Sequence, residues 1–201
     1  MKFTQIPSDT FEKIQLNAGL LVEGFTPSSG TITNIIGATS GGINFTATPT
    51  FKDFGENVDN CPKNTMELKK IESIEAKMSG TFVTVSAAVA KTLVGAADVG
   101  TTDTTKVTPR NELTADDFDD LWWVGDYSDK NGDTNGGFVA IHLMNALSTG
   151  GFQLQSTDKE KGTYAFEFTG HYSIEEPDTV PFEIYVKAGS AEPSPTPGEG
   201  S

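Results

Sequence analysis

Hydrophobic and polar residues alternate along much of this chain, and a period of two marks strands with one buried face. Ile14, Leu16, Ala18, Leu20 and Val22 alternate within residues 13–24, which predicts a strand. Ile43, Phe45, Ala47 and Phe51 repeat the pattern against Asn44, Thr46, Thr48 and Thr50. The cleanest run is 72–83, where Ile74, Ala76, Met78, Gly80 and Phe82 oppose Ser73, Glu75, Lys77, Ser79 and Thr81. The period then lengthens. Val85, Val89, Leu93 and Ala97 recur every four residues among alanines, which predicts a helix over about 85–97. Thr84 is its expected N-cap and Gly100 its stop.

Further on, Thr114 and Asp117 stand at capping-box spacing before LWWVGDY (121–127), which reads as a strand buried on both faces. Residues 128–137 carry two Asn-Gly steps and read as a hairpin connection to a strand from Phe138 to Met144. Phe152–Gln155, Tyr164–Ile174 and Phe182–Val186 complete a set of eight or nine expected strands. Residues 1–10 read as an N-terminal arm. Residues 48–66 read as a long loop with apolar points at Phe51, Phe54, Val58 and Met66. Loops of that length are commonly functional; this one is expected to dock into a neighbouring molecule, the alternative being that it folds back on its own domain. The tail 189–201 holds no large apolar residue and is expected to be flexible. The expectation is one domain over 1–188, mainly β (α+β): a two-sheet sandwich or barrel flanked by one helix.

Composition changes this picture only in places. The 201 residues carry 28 acids against 14 Lys and Arg, a net charge of −14. Residues 101–201 hold 18 of the acids and 6 of the bases, and so supply −12 of that charge. Gripping phosphates needs clustered Lys and Arg, so tight DNA binding is not expected. Cys61 is the only cysteine, which rules out an intrachain disulfide and suits a reducing compartment. Neither a secretory signal nor a membrane span is expected.

No catalytic constellation emerges. Asp129, Asn131 and Asp133 alternate as calcium ligands do, but Thr134 and Ala140 occupy the positions of the required Gly and bidentate Glu. The stretch reads better as a solvated turn. Asp116, Asp117, Asp119 and Asp120 form a carboxylate cluster suited to a helix N-terminus; service as a hydrolase pair would need a flanking cleft. His142 and His171 lack a third ligand at zinc spacing. Cys61 has no basic neighbour in sequence, and the glycine-rich segment 37–42 lacks the phosphate-loop lysine. No catalytic, cofactor-binding or metal residue is therefore expected. Trp122, Trp123 and Tyr127 leave one alternative open, a carbohydrate-binding or adhesin β-sandwich with an aromatic platform, although at least one Trp is expected in the core.

Several strings resemble the major tail proteins (tail tube proteins) of siphophages and prophages of Gram-positive bacteria. They are IIGATSGGINFTATPTFKDFG (35–55), DNCPKNTMELK (59–69), EAKMSGTFVTV (75–85), LWWVGDYSDKNG (121–132), IHLMNALSTGGF (141–152) and YAFEFTGHYS (164–173). The similarity spans about 11–175. It implies a β-sandwich or barrel with a flanking helix, hexameric rings that stack into a hollow tube, and genome passage through the lumen. It further implies location in the virion tail, assembly in the host cytoplasm, a tape-measure protein and DNA inside the tube, and tail terminator and distal tail or baseplate proteins at its ends. A single-ring tail-completion protein or a contractile-system tube protein would share that fold. Acidic walls would keep DNA moving, and Glu75, Glu167 and the 116–120 cluster are the candidate lumen acids.

Overall fold

A computed structural model describes residues 6–7, 10, 13–127 and 136–189. Eleven strands and one α-helix follow in order: β1 (Leu20–Thr26), β2 (Thr31–Ile35), β3 (Thr39–Asp53), β4 (Lys69–Phe82), α1 (Ala87–Val94), β5 (Ala97–Val99), β6 (Val107–Pro109), β7 (Asp119–Tyr127), β8 (Gly137–Ser148), β9 (Gln153–Gln155), β10 (Thr163–Thr169) and β11 (Phe182–Lys187). The fold is mainly β. Nine strands pair in one antiparallel sheet along the path β2-β1-β7-β8-β10-β4-β3, with β11 added to β8 and β9 to β10. A separate ribbon joins β5 to β6. The path ends at β2 and β3, which do not pair with each other, so the sheet is not closed into a barrel.

Strand β8 gives the sheet its shape. Residues 138–143 pair with β11 and 137–146 with β7, whereas Leu147 and Ser148 pair with β10. Between these partners lies Asn145, whose φ of 47° is left-handed. A non-glycine residue rarely adopts that conformation. The Asn145 amide N–H donates to Asp120 Oδ1 (3.1 Å) and its side chain to the His171 carbonyl (3.1 Å), which holds the kink. The bend brings both halves of the sheet onto one core. Leu21, Leu121 and Leu143 come from one half, Met78, Phe82, Phe166 and Phe168 from the other.

The β1–β7–β8 half is apolar on its outer face too. Val22, Phe25, Trp122 and Ala140 form a second cluster there, so LWWVGDY is indeed covered on both sides.

Several expected boundaries move, each for a visible reason. The helix is shorter than 85–97. Thr84 is occupied elsewhere, its hydroxyl accepting the Ala38 N–H, and Ser86 caps the helix by accepting the Val89 N–H. Gly95, at φ 87°, ends it, and Ala97 already belongs to β5. Val89 and Leu93 face the core, and the Ser148 hydroxyl donates to the Leu93 carbonyl. The strand expected to reach Ile174 stops at Thr169. Gly170 packs so tightly that an added Cβ would lie 2.7 Å from Leu143 Cδ1. The strand expected from residue 13 begins at Leu20, preceded by an isolated bridge from Gln15 to Tyr127. The capping box at Thr114 and Asp117 forms as its spacing predicts, around a 3-10 turn at Ala115–Asp117.

The largest correction concerns 48–66. Part of that span is strand, because β3 runs on to Asp53 in register with β4, through Asp53↔Lys69. Pro49 cannot donate to a ladder, but β3 is an edge strand where proline is tolerated.

A candidate assembly surface

Strands β3 and β4 are 15 and 14 residues long, well beyond what the sheet uses. β10 pairs with β4 only over Lys77–Phe82. The Gly170 N–H reaches the Ala76 carbonyl, and the Tyr172 hydroxyl donates to the Ile74 carbonyl and accepts its N–H (2.9 Å). Past Ile74, the two strands pair only with each other among the described residues. They form an arm of roughly 20 Å of free ribbon.

The arm ends in an ordered tip. Asp53 accepts N–H groups from Gly55 and Asn64, both at 2.9 Å, and so ties the two ends of the 54–65 connection together. These two N–H groups, Asn64 first, hold the Asp53 carboxyl below its ordinary pKa. Asn60 and Asn64 take left-handed φ of 61° each, a conformation asparagine tolerates better than most residues. Thr65 Oγ1 donates to the Pro62 carbonyl and lies 3.4 Å from Cys61 Sγ. Cys61 thus packs inside the tip.

Large apolar side chains stand out along this arm. Phe51, Phe54, Val58 and Ile71 are each more than half exposed, and Met66 is 79% exposed. A solitary surface Leu or Ile is ordinary, but a contiguous apolar patch marks a contact site. The free edge of β3 adds unpaired backbone groups beside it. The arrangement suits association. The apolar points are legible in the sequence; the ribbon that presents them is not.

The other candidates fall apart or turn structural. Asp117 is buried and bound to Arg110, the only arginine, while Asp120 accepts the Asn145 N–H. These acids serve the local fold. His142 stacks on Trp122 (centroids 4.0 Å apart, 6° between planes), and His171 Nδ1 lies 3.1 Å from the Asn145 carbonyl oxygen. Among the described residues, no three His, Cys, Asp or Glu side chains gather to hold a metal. Residues Asp129, Asn131, Asp133 and Thr134 lie outside the described ones, as do seven of the ten residues of the 1–10 arm and residues 190–201 of the tail. Trp122 is buried and Trp123, half-buried against the core, donates its indole N–H to the Ala18 carbonyl (3.0 Å), so Trp122, Trp123 and Tyr127 do not form one exposed platform. Glu75 and Glu167 share one lysine, with Lys77 Nζ at 3.0 and 3.8 Å. The glycine-rich segment opens a shallow groove of about 460 Å³ with Phe166 in its lining. No helix is long and apolar enough to cross a membrane among the described residues.

No protein-family model matches the chain, and no curated protein matches it. Among solved structures, it is similar to a chain described as the tail of an empty GTA particle with C6 symmetry. The TM-score is 0.42 and the identity 9%, over 85% of this chain and 96% of that one. A likeness so remote carries no functional weight.

Proposed function

We propose that this protein is a structural subunit of a bacteriophage tail, which polymerises as stacked hexameric rings into a tail tube of the siphophage type. The observation that carries this reading is the β3–β4 arm: a ribbon reaching away from the body with an ordered tip and an exposed apolar patch. An arm on one copy and its receptor elsewhere on the next make a heterologous contact, the kind that propagates into a polymer. The family-like strings over 11–175 support the same reading. In this role the protein performs no catalysis and needs no cofactor. Its lumen would hold a tape-measure protein and then DNA, its ends would meet the terminator and the distal tail or baseplate proteins, and it would reside in the virion tail after assembly in the host cytoplasm. The excess of acids suits a conduit that must not retain DNA.

Negative-stain electron microscopy across a concentration series tests the proposal. Six-membered rings or stacked hollow tubes are the expected products. A protein that stays monomeric at the highest concentration would sink it.

A further inference from the structure

The β3–β4 arm leaves the body at one residue. β10 accompanies β4 as far as Lys77, the partner of Thr169, and the Gly170 N–H then takes the Ala76 carbonyl. Backbone groups on a strand point alternately to its two sides, so the next pair on this side belongs to Ile74. A side chain takes it. The Tyr172 hydroxyl accepts the Ile74 N–H at 2.9 Å and donates to the Ile74 carbonyl at 3.4 Å. A phenol can donate and accept at once, so this one oxygen stands where a strand residue would otherwise pair. Burial along β4 stops at the same place: Lys69 to Ser73 are all exposed, and Ile74 is the first partly covered residue.

Tyr172 is itself anchored to the body. Its neighbour His171 donates its N–H to the Met144 carbonyl (3.3 Å) and accepts the Asn145 side-chain amide on its own carbonyl (3.1 Å). Two residues beyond Ile74 the ladder breaks step. Thr50 pairs with Ser73 and Phe51 with Ile71, which leaves Glu72 as an extra residue without a partner on β3. Such a bulge disrupts the pairing locally and bends the strand. Past it, Phe51, Lys52 and Asp53 face Ile71, Lys70 and Lys69 in unbroken register, and Asp53 closes the tip onto Gly55 and Asn64. The chain thus has an anchored base, an interrupted ladder and an internally tied end, in that order.

We propose that the arm is hinged at Glu72 and that the Tyr172 hydroxyl is the latch that fixes where it bends. A lone two-stranded ribbon has little stiffness of its own, so bending gathers where the ladder is broken. With the latch closed, Ile74 belongs to the body and the end of the arm swings as one piece about the bulge. With it open, the hold of the body retreats to Ala76 and a longer piece of ribbon swings. The device works within a single copy and stands whether or not copies assemble.

Hydrogen exchange resolved to single amides, on protein dilute enough to be unassembled, tests the latch. Tyr172→Phe keeps the ring and removes the hydroxyl. It is expected to speed exchange at the Ile74 amide about tenfold, while the Gly55, Asn64 and Phe168 amides and Tm stay near wild type. Equal exchange at Ile74 in the two proteins would overturn the latch. Faster exchange at Gly55 and Asn64 as well would mean that the arm unfolds rather than swings, and would overturn it too. Spin labels at Val58 on the tip and Gln153 on the body, in a Cys61→Ser background, read the motion directly. Their distance distribution is expected to be wider than that of a body pair at Gln153 and Ile35, and wider still with Tyr172→Phe. A tip-to-body distribution as narrow as the body pair's would overturn the hinge.

Discussion

Arg110 Nη2 donates to Asp117 Oδ1 across 2.6 Å, and this pair ties the β6 end to the turn that launches β7. The Asp117 side chain is fully buried, while Arg110 also reaches Asp98 (3.0 Å) and the Glu112 carbonyl (2.8 Å). Burial alone pushes the Asp117 carboxyl up. The Thr114 N–H, the Arg110 guanidinium and the Thr114 hydroxyl outweigh it and hold the pKa below the ordinary 3.8. The unfolded chain thus takes up this proton more readily than the folded one. The resulting stability is complete above about pH 4 and is lost as pH falls through the depressed folded value. Asp117→Ala is expected to cost about 2 kcal/mol near neutrality, lowering Tm by roughly 4–8 °C, and to flatten the acid limb of Tm against pH.

Asp119, two residues on, has the opposite sign. Burial comes first in raising its pKa; Lys91 opposes this, and repulsion from Glu23, Asp120 and Asp117 adds to it. The folded state therefore favours the protonated acid, and ionisation at neutral pH costs stability. Asp119→Asn is expected to raise Tm at pH 7, with the gap closing as pH falls through the raised folded value and gone by about pH 4. A higher wild-type Tm at pH 7 would contradict this.

At Asn145, the left-handed kink sets the bend of β8. Asn145→Val is expected to destabilise by about 2–3 kcal/mol, since a β-branched residue resists that backbone. Asn145→Gly accepts the backbone and loses only the side-chain bond to His171, so it is expected to cost about 1 kcal/mol. Denaturant melts of both variants check the order. An equal loss would mean that the kink is not what the asparagine supplies.

Gly170→Ala is expected to cost about 1–3 kcal/mol by overpacking against Leu143 and the Pro181 carbonyl. Phe51→Ser with Phe54→Ser should behave in the opposite way, leaving Tm near wild type while abolishing assembly. Melting and microscopy on the same samples separate the two effects.

These particulars also show what the sequence could tell. Alternation located β1, β3, β4 and β10, each of which turns one face toward the core, and also β11, although its Ile184 and Val186 stay exposed; β7 was legible as a run buried on both faces and β8 through the Asn-Gly turn signals before it. Alternation missed β2, whose residues are all exposed, and the three-residue β5 and β6, which a period of two cannot reveal. In β8, every third residue is buried, because the strand serves two opposite faces as it bends. Local chemistry was legible where it is local, as at the Thr114–Asp117 box. It failed at Thr84, whose partner Ala38 lies 46 residues away. Phe51, Phe54, Val58 and Met66 were legible as apolar points in a polar stretch. Their mounting on a ribbon was not, because the period of two lapses after the register irregularity at Thr50 and Phe51 and the pairing with Lys69–Ser73 is not local.

The arm is a two-stranded ladder whose hydrogen bonds run across its length, while covalent backbone runs along it. Such a ribbon is hard to stretch, yet it twists and flexes more readily than a broad sheet. Copies linked by it would keep a fixed spacing and still tilt against one another. The joint would behave as a strap rather than a strut, and a column built from such joints would curve without its layers separating.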